Sequence, residues 1–429
     1  MDDTLLDFQI DSHTDAIIKV VGVGGGGGNA VNHMFKEGIH NVSFALCNTD
    51  NQALIESPVP VKVQLGANTT GGLGAGNKPE IARKSAEESV DLIEDLLNDG
   101  TRMAFITAGM GGGTGTGAAP VIARVAKDMG ILTVGIVTIP FVFEGSRKIV
   151  QALKGVEEIA KNVDALLVIN NERLRDIYSD LTVLNAFAKA DDTLTTAAKS
   201  IAEIITVHGH VNLDFADVET TLKDGGVAIM SSGIGTGNDR INEAIKDALH
   251  SPLLNNNDVF SSKKILINLC FGEENPLMME EMNALHDFMS KFSSEIEVIW
   301  GAAVDETLDD EVKVTLLATG FSINNVPGIA EIKKEQSQAD EHQRKVEEEE
   351  MRKRDLRDKE LIEKYYGKAG LDSLSVNNYM QEPFVLTIEE LDNDKILEAL
   401  EKNPVFRRER SFNPRTYHED AQQATSLFD

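Results

Sequence analysis

Cysteine is nearly absent from this chain: Cys47 and Cys270 are the only two in 429 residues. Two distant cysteines supply neither a disulfide framework nor the paired spacing of a zinc site, and no protein metal site is expected; this fits a reducing cytosol. Apolar runs of about 18 residues, the length a membrane helix needs, are missing. The opening stretch MDDTLLDFQIDSHTD is acidic and lacks the basic-then-apolar order of a signal peptide. Basic residues are also scarce, 41 Lys and Arg against 70 Asp and Glu, for a formal net charge of −29. Such a charge repels nucleic acid and anionic lipid alike, so neither nucleic-acid binding nor direct membrane insertion is expected. A membrane role would have to pass through a partner or a short amphipathic piece.

Apolar residues are present in sufficient number, 41% of the chain, to build two cores with extra segments to spare. Before about Gly320, strand-like apolar runs alternate with helical patterns. Ile17–Val23, Asn41–Cys47, Met103–Thr107, Ile131–Ile139 and Ala165–Ile169 read as buried strands, with helices such as Pro79–Leu97 and Ala118–Met129 between them. That alternation predicts a Rossmann-like α/β domain with a parallel sheet, whose ligands sit beyond the carboxyl ends of the strands. A long amphipathic helix follows over Ala186–Val207. A smaller mixed-sheet α/β domain comes next: Val227–Met230, a helix over Asn238–Leu249, Lys264–Cys270, a helix over Leu277–Phe292, Glu295–Val304 and Val312–Thr319. The last two strands flank the acidic turn Thr307–Asp310 and are expected to pair as neighbours. The methionines Met278, Met279, Met282 and Met289 read as core filler.

The expected organisation is a flexible segment over 1–16, a nucleotide-binding domain over 17–185, a central helix and link over 186–211, a second domain over 212–321, a charged linker over 322–387 and a tail over 388–429. The linker is polar, with Glu348, Glu349 and Glu350 each four residues before Arg352, Lys353 and Arg354, a pattern for a partly helical solvated segment. The tail ends differently: Asn403–Arg410 reads NPVFRRER, an apolar pair beside arginines, like a short recognition peptide.

Gly24–Gly28 are five consecutive glycines between a strand and a helix expected to begin near Asn29. Backbone N–H groups bared at a helix N-terminus favour an anion, so the loop predicts phosphate binding. Which phosphate is open at this point. Gly22–Gly27 satisfies G-x-G-x-x-G and Asp50 follows the second strand, as in a dinucleotide-binding unit. Gly111–Gly117, GGGTGTG, repeats the strand–loop–helix placement before a helix expected at Ala118, and Gly71–Asn77 is a third Gly-rich stretch. A dinucleotide needs one such turn; several suit a triphosphate, with Thr114 and Thr116 adding hydroxyls.

GGGTGTG is similar to the signature of the tubulin/FtsZ superfamily. With the first loop, NTD at Asn48–Asp50, PFVFEG at Pro140–Gly145 and NLDFADV at Asn212–Val218, the chain from about Ile17 to Phe321 resembles the bacterial FtsZ family. The resemblance implies a GTP-binding and GTP-hydrolysing protein that polymerises with itself into the cytoplasmic division ring at midcell, using GTP/GDP and Mg²⁺. It implies phosphate contacts at Gly25, Gly26, Gly27, Gly28 and Asn29, and at Gly111, Gly112, Gly113, Thr114, Gly115, Thr116 and Gly117. Glu144 would hold the ribose, and Asn171, Phe187 and Asp191 would meet guanine. Phe187 can stack on the base, and a carboxylate at Asp191 can accept from the N1–H and N2–H₂ edge that adenine lacks. Where the family usually carries Arg, this chain has Lys148, with Arg147 one place earlier; Lys lacks the bidentate fork. The tail near Pro404–Arg408 matches, by position and character, the peptide that engages membrane-tethering division proteins such as FtsA.

The catalytic residues implied are Asn212, Asp214 and Asp217. Asp214 and Asp217 are three apart and share one face of a helical turn; they also suit a helix cap. A helix over Ala186–Val207 spans about 33 Å at about 1.5 Å per residue. It would carry them away from their own glycine loops and toward those of the next copy, in a head-to-tail contact that does not close. A nicotinamide- or flavin-dependent oxidoreductase and a non-catalytic nucleotide-binding scaffold are the alternatives.

Overall fold

The computed structural model describes residues 16–39, 41–178, 182–207, 209–251, 259–293, 295–305, 307–326, 329, 351, 353, 357, 364 and 394–402. Most of the expected linker, the peptide Pro404–Arg408 and nearly all of segment 1–16 lie outside them. In chain order the elements are β1 (Ile18–Val23), α1 (Gly24–Glu37), β2 (Val42–Asn48), α2 (Asn51–Glu56), β3 (Val61–Gln64), α3 (Ala67–Thr70), α4 (Pro79–Glu88), α5 (Val90–Leu97), β4 (Met103–Gly109), α6 (Thr114–Asp128), β5 (Leu132–Ile139), α7 (Ser146–Ala160), β6 (Ala165–Asn170), α8 (Asn171–Ile177) and α9 (Val183–Thr206). They continue with β7 (Gly209–Val211), α10 (Phe215–Leu222), β8 (Gly226–Gly235), α11 (Arg240–Leu249), β9 (Lys264–Phe271), α12 (Met282–Met289), β10 (Glu297–Val304) and β11 (Val312–Phe321). A further helix, α13 (Asp394–Lys402), lies within the tail expected over 388–429.

Among the described residues the strands form one sheet in the order β3-β2-β1-β4-β5-β6-β8-β11-β9-β10-β7. β1 to β6 are all parallel, the arrangement expected of strands that are apolar on both faces. Successive residues alternate between two cores. Val21, Val23, Ile106 and Ala108 face the layer of α4, α5, α6, α7 and α11, whereas Ile18, Val20, Met103 and Phe105 face α1, α9 and α10. Lys19 is the exception in β1: its buried ammonium donates to the carbonyl of Leu96 and meets Asp99 at 2.5 Å. That partner satisfies a cation that could not otherwise be buried.

Several expectations are corrected by this topology. β10 and β11 do not pair: β11 runs antiparallel between β8 and β9, while β10 lies parallel to β9 on its other side. The connection from β10 to β11 therefore crosses the end of β9, where Asp305 N–H donates to Phe271 O at 3.0 Å and Asn275 Nδ2 to Asp309 O at 3.1 Å. Gly272 leaves room for the crossing, since a Cβ there would strike the carbonyls of Leu308 and Asp309. The helix expected over Pro79–Leu97 breaks at Ser89, whose hydroxyl accepts from Gly66 N–H at 2.9 Å. Met282 and Met289 pack against the core, but Met278 and Met279 precede α12 and are 64% and 85% exposed.

Both glycine-loop helices begin earlier than their propensity suggests. α1 starts at Gly24 and α6 at Thr114, so Gly24–Gly28 form the first turn of α1 and Gly115 and Gly117 lie in that of α6, while Gly111–Gly113 still precede it as a loop. Glycine is a poor helix former. Its value here is steric: a Cβ at Gly27 would strike Thr107 O and one at Gly115 would come within 2.5 Å of Gly109 O, so α1 and α6 sit directly on β4.

Candidate functional site

β1 ends at Val23, and Gly24, with φ of 71°, turns the chain into α1. Neither α1 nor α6 has a side-chain cap on its first turn. Their leading N–H groups stay available at the carboxyl ends of β1 and β4, where dipole and donors together favour an anion. The two turns interlock: a Cβ at Gly24 would lie 2.9 Å from Gly115 N, and one at Gly26 would lie 3.1 Å from Gly109 Cα. Thr114 Oγ1 meets Thr49 Oγ1 at 2.8 Å, fixing α6 against the end of β2. The third glycine stretch closes over this corner, because a Cβ at Gly113 would lie 3.1 Å from Ala75 Cβ.

These turns form one wall of a cleft of about 370 Å³. Gly25, Gly26 and Asn29 line it from α1, and Gly112, Gly113, Thr114 and Gly115 from the second loop. Glu144 and Lys148 line it beyond β5, Asn171 at the start of α8, and Phe187 and Asp191 on α9. The sequence reading missed Gly109, Met110, Thr138, Pro140, Ala190 and Leu194. Their signal was available: Gly109, Met110, Thr138 and Pro140 sit at or just past the carboxyl ends of β4 and β5, where ligands of such sheets bind.

The polar groups are arranged in sequence around the cleft. Glu144 accepts from Phe141 N–H at 2.9 Å and from Lys148 Nζ at 2.5 Å, so its carboxylate is held at the rim. Asn171 is buried, and its side-chain oxygen has no hydrogen-bond partner. A buried acceptor without a donor is costly. Phe187 is 40% exposed and stands edge-on to Phe141, with centroids 5.2 Å apart. Asp191 is pushed up to about 6, chiefly by burial, with His33 acting against the shift and Asp192 adding to it.

Other residues named from sequence take different places. Gly28 lines a small adjoining recess with Gly24, Asn29 and Asn48. Gly27 and Gly117 are close-contact positions, the latter against Pro79 O, and do not line the main cleft. Gly111 has φ of 101° and backs onto Lys148, while Thr116 Oγ1 accepts from Gly111 N–H at 2.8 Å and braces the loop from within. Of the two candidate cations, Lys148 lines the cleft and Arg147 lines a separate groove with Arg83, Arg124 and Lys154. Asp50 caps α2 by accepting from Gln52 N–H at 3.0 Å and Ala53 N–H at 3.4 Å.

Asn212, Asp214 and Asp217 are not in the cleft. Asp214 caps α10, accepting from Ala216 N–H at 2.8 Å and Asp217 N–H at 3.1 Å, and Asp217 accepts from Asp214 N–H at 2.9 Å. Leu213 packs on Gly301 of β10, and the Phe215 ring lies 4.5 Å below the guanidinium of Arg102. Arg102 immediately precedes β4, whereas Gly109 at the far end of that strand lines the cleft. The chain beyond α10 also meets the starting ends of the parallel strands, with Gly226 N–H donating to Asp164 O at 3.2 Å. The acid pair and the cleft are thus at opposite ends of the sheet, about 20 Å apart along β4 alone at about 3.3 Å per residue.

Residues 17–179 match the model of the Tubulin/FtsZ family GTPase domain, and residues 226–322 that of the FtsZ family C-terminal domain. The chain is 52% identical over 410 residues to the cell division protein FtsZ of Porphyromonas gingivalis, covering 95% of this chain and 89% of that one. It is 45% identical over 322 residues to that of Wigglesworthia glossinidia brevipalpis, covering 75% and 83%. Among solved structures it resembles an empty FtsZ dimer from M. jannaschii, with a TM-score of 0.65 at 40% identity, covering 71% of this chain and 88% of that one. Its mixed α/β fold, its mostly parallel sheet and these matches place the chain in the FtsZ family of the tubulin/FtsZ superfamily, with a GTPase domain followed by an FtsZ C-terminal domain.

Proposed function

We propose that this chain binds GTP in the glycine-walled cleft, polymerises head to tail into protofilaments of the contractile division ring (Z ring) at midcell, and hydrolyses GTP where two copies meet. One observation carries the shared-site reading: Asp214 and Asp217 sit at the amino ends of the parallel strands and the cleft at their carboxyl ends. A subunit stacked on another brings its acid pair to its neighbour's cleft. Such a contact joins unlike surfaces and propagates without closing.

In this reading each group has its own work. N–H groups of the first turns of α1 and α6 bind the phosphates, and Thr114 adds a hydroxyl. Lys148 supplies a point charge at the rim, and Glu144 a carboxylate for the ribose hydroxyls. Phe187 stacks on the base, and Asp191 and Asn171 Oδ1 accept from its N–H edge, which selects guanine. Asp214 and Asp217 of the neighbour orient and polarise the water that attacks the γ-phosphate, while the backbone donors stabilise the charge that develops. Among the described residues no group of three or more His, Cys, Asp or Glu could hold a metal unaided. Mg²⁺, a hard ion that takes oxygen ligands, would suit the carboxylates of Asp214 and Asp217 of the neighbour beside a bound triphosphate, and would supply charge neutralisation there.

The tail peptide Pro404–Arg408 lies outside the described residues; its apolar pair and arginines suit a membrane-tethering division protein such as FtsA. No helix among the described residues is long and apolar enough to cross a membrane. The oxidoreductase alternative is weakened by Asp50, whose carboxylate caps α2 rather than facing a ribose. Light scattering and sedimentation at several protein concentrations, with GTP and then GDP, test the reading. Assembly with GTP, and turnover per subunit that climbs steeply with concentration, are expected; a rate independent of concentration overturns the shared site.

A further inference from the structure

Nucleotide recognition divides between two helices on the same face of the sheet. In the reading proposed above, α1 offers its first turn to the phosphates, and α9 offers Phe187 and Asp191 to the base; all of them line the cleft. One polar side chain of α1 crosses between them. His33 Nε2 lies 3.2 Å from Asp192 Oδ1, its Nδ1 3.3 Å from Thr195 Oγ1, and the same nitrogen 3.7 Å from Glu37 Oε1. Thr195 Oγ1 donates its single proton to the carbonyl of Asp191 at 2.9 Å. Nε2 faces the Asp192 carboxylate, and a proton on either ring nitrogen lets His33 donate across to α9.

We infer that His33 is a positioning residue for guanine recognition, tying the phosphate-facing helix to the base-facing one through Asp192 and Thr195 and, when protonated, setting a positive charge behind Asp191. The inference rests on the reading of Asp191 as the guanine acceptor. The charged groups around His33 are Glu37 on its own helix and Asp191, Asp192 and Lys189 on α9, where Lys189 Nζ is 3.7 Å from Asp192 Oδ2. Burial and Asp192 push the Asp191 carboxyl toward its neutral form, and His33 opposes them. A neutral carboxyl loses one of the two acceptors that guanine's adjacent N1–H and N2–H₂ require. His33 thus acts on the base without touching it, and does so most where Asp191 titrates.

The test measures affinity of the full chain for GDP and for IDP, which lacks the 2-amino group, at pH 6 and pH 8. The proteins are the wild type, His33→Gln, His33→Lys and Asp191→Asn. Loss of the charge leaves the Asp191 carboxyl more neutral, an effect felt at pH 6 and hardly at pH 8. His33→Gln should therefore lose several-fold of GDP affinity at pH 6, less for IDP, and converge on the wild type at pH 8. His33→Lys should recover part of the pH 6 loss. Asp191→Asn should abolish the preference for GDP; if the preference survives there, the guanine reading fails and this inference with it. If Asp191→Asn loses the preference while His33→Gln matches the wild type, only the role of His33 is overturned. Equal weakening of both nucleotides at both pH values would also overturn it, leaving His33 as a packing contact.

Discussion

The guanidinium of Arg102 lies 4.5 Å from the ring centroid of Phe215. One partner immediately precedes β4 and the other is the first residue of α10, directly after Asp214. This cation–π contact fastens the acid pair to the amino ends of the strands whose carboxyl ends form the nucleotide cleft. Arg102→Ala should leave GDP affinity unchanged and lower assembly-coupled GTP turnover several-fold, because it loosens the carboxylates without touching the cleft. Nucleotide titration beside a phosphate-release assay at fixed protein concentration separates the two.

Asp214 has a structural task besides the catalytic one proposed, since it caps α10 through Ala216 and Asp217 N–H. Asn caps helices about as well as Asp, whereas Ala costs about 1 kcal/mol. Asp214→Asn should therefore keep both stability and GDP binding while turnover falls by about 100-fold or more. Asp214→Ala should lose the same turnover and also unfold at lower urea concentration. Full turnover in Asp214→Asn would remove this residue from the chemistry and leave only its cap.

The parallel half of the fold was legible because its signals are local: β1, β2, β4, β5 and β6 are short apolar runs bounded by glycine or polar turns. The position of β11 was not, because pairing with β8 and β9 instead of β10 depends on contacts distant in sequence and on Gly272 clearing the crossover. Helix starts were misplaced for a related reason. Glycine's low helix propensity gives no local sign that α1 starts at Gly24 or that α6 takes Gly115 and Gly117 into its first turn; contact with β4 outweighs it. In the site, the glycines, Phe187 and Asp191 were readable as motif positions. The orphaned oxygen of Asn171 and the crossing of His33 to α9 exist only once α1, α8 and α9 are assembled.

The five glycines of the first loop should not respond alike. A Cβ at Gly28 meets nothing within 4 Å, while one at Gly27 would collide with Thr107 O on β4. Gly28→Ala lies within helical backbone and should be neutral or stabilising by up to about 1 kcal/mol, through reduced freedom of the unfolded chain. Gly27→Ala should cost about 1–3 kcal/mol, since backbone must yield. Urea unfolding of the two variants checks this, and equal midpoints would contradict the close packing of α1 on β4.

Phe187 is braced edge-on by Phe141 and leaves 40% of its surface exposed in the cleft. Base stacking on an aromatic ring contributes about 1–3 kcal/mol. Phe187→Ala should weaken GDP about 10- to 100-fold with little change in the unfolding midpoint of the nucleotide-free protein, whereas Phe187→Tyr should stay close to wild type. Isothermal titration together with nucleotide-free unfolding distinguishes loss of stacking from loss of core.

Asp191 links recognition to stability with a definite sign. Its carboxyl stands at about 6 in the folded protein, raised mainly by burial, against about 3.9 for an unperturbed Asp. Between those values the folded state binds more protons than the unfolded state, so stability from this group falls as pH rises toward 6 and stays lost above it. Asn carries no charge to desolvate. Asp191→Asn should therefore raise the unfolding midpoint of the nucleotide-free protein at pH 7.5, and the gain should shrink as pH is lowered toward 5. The same variant should bind GDP more weakly at pH 7.5, because an amide cannot present two acceptor oxygens to guanine. Thermal unfolding without nucleotide and GDP titration at each pH would show the two effects opposed; a variant less stable than the wild type at pH 7.5 would mean that Asp191 is held by partners rather than strained by burial.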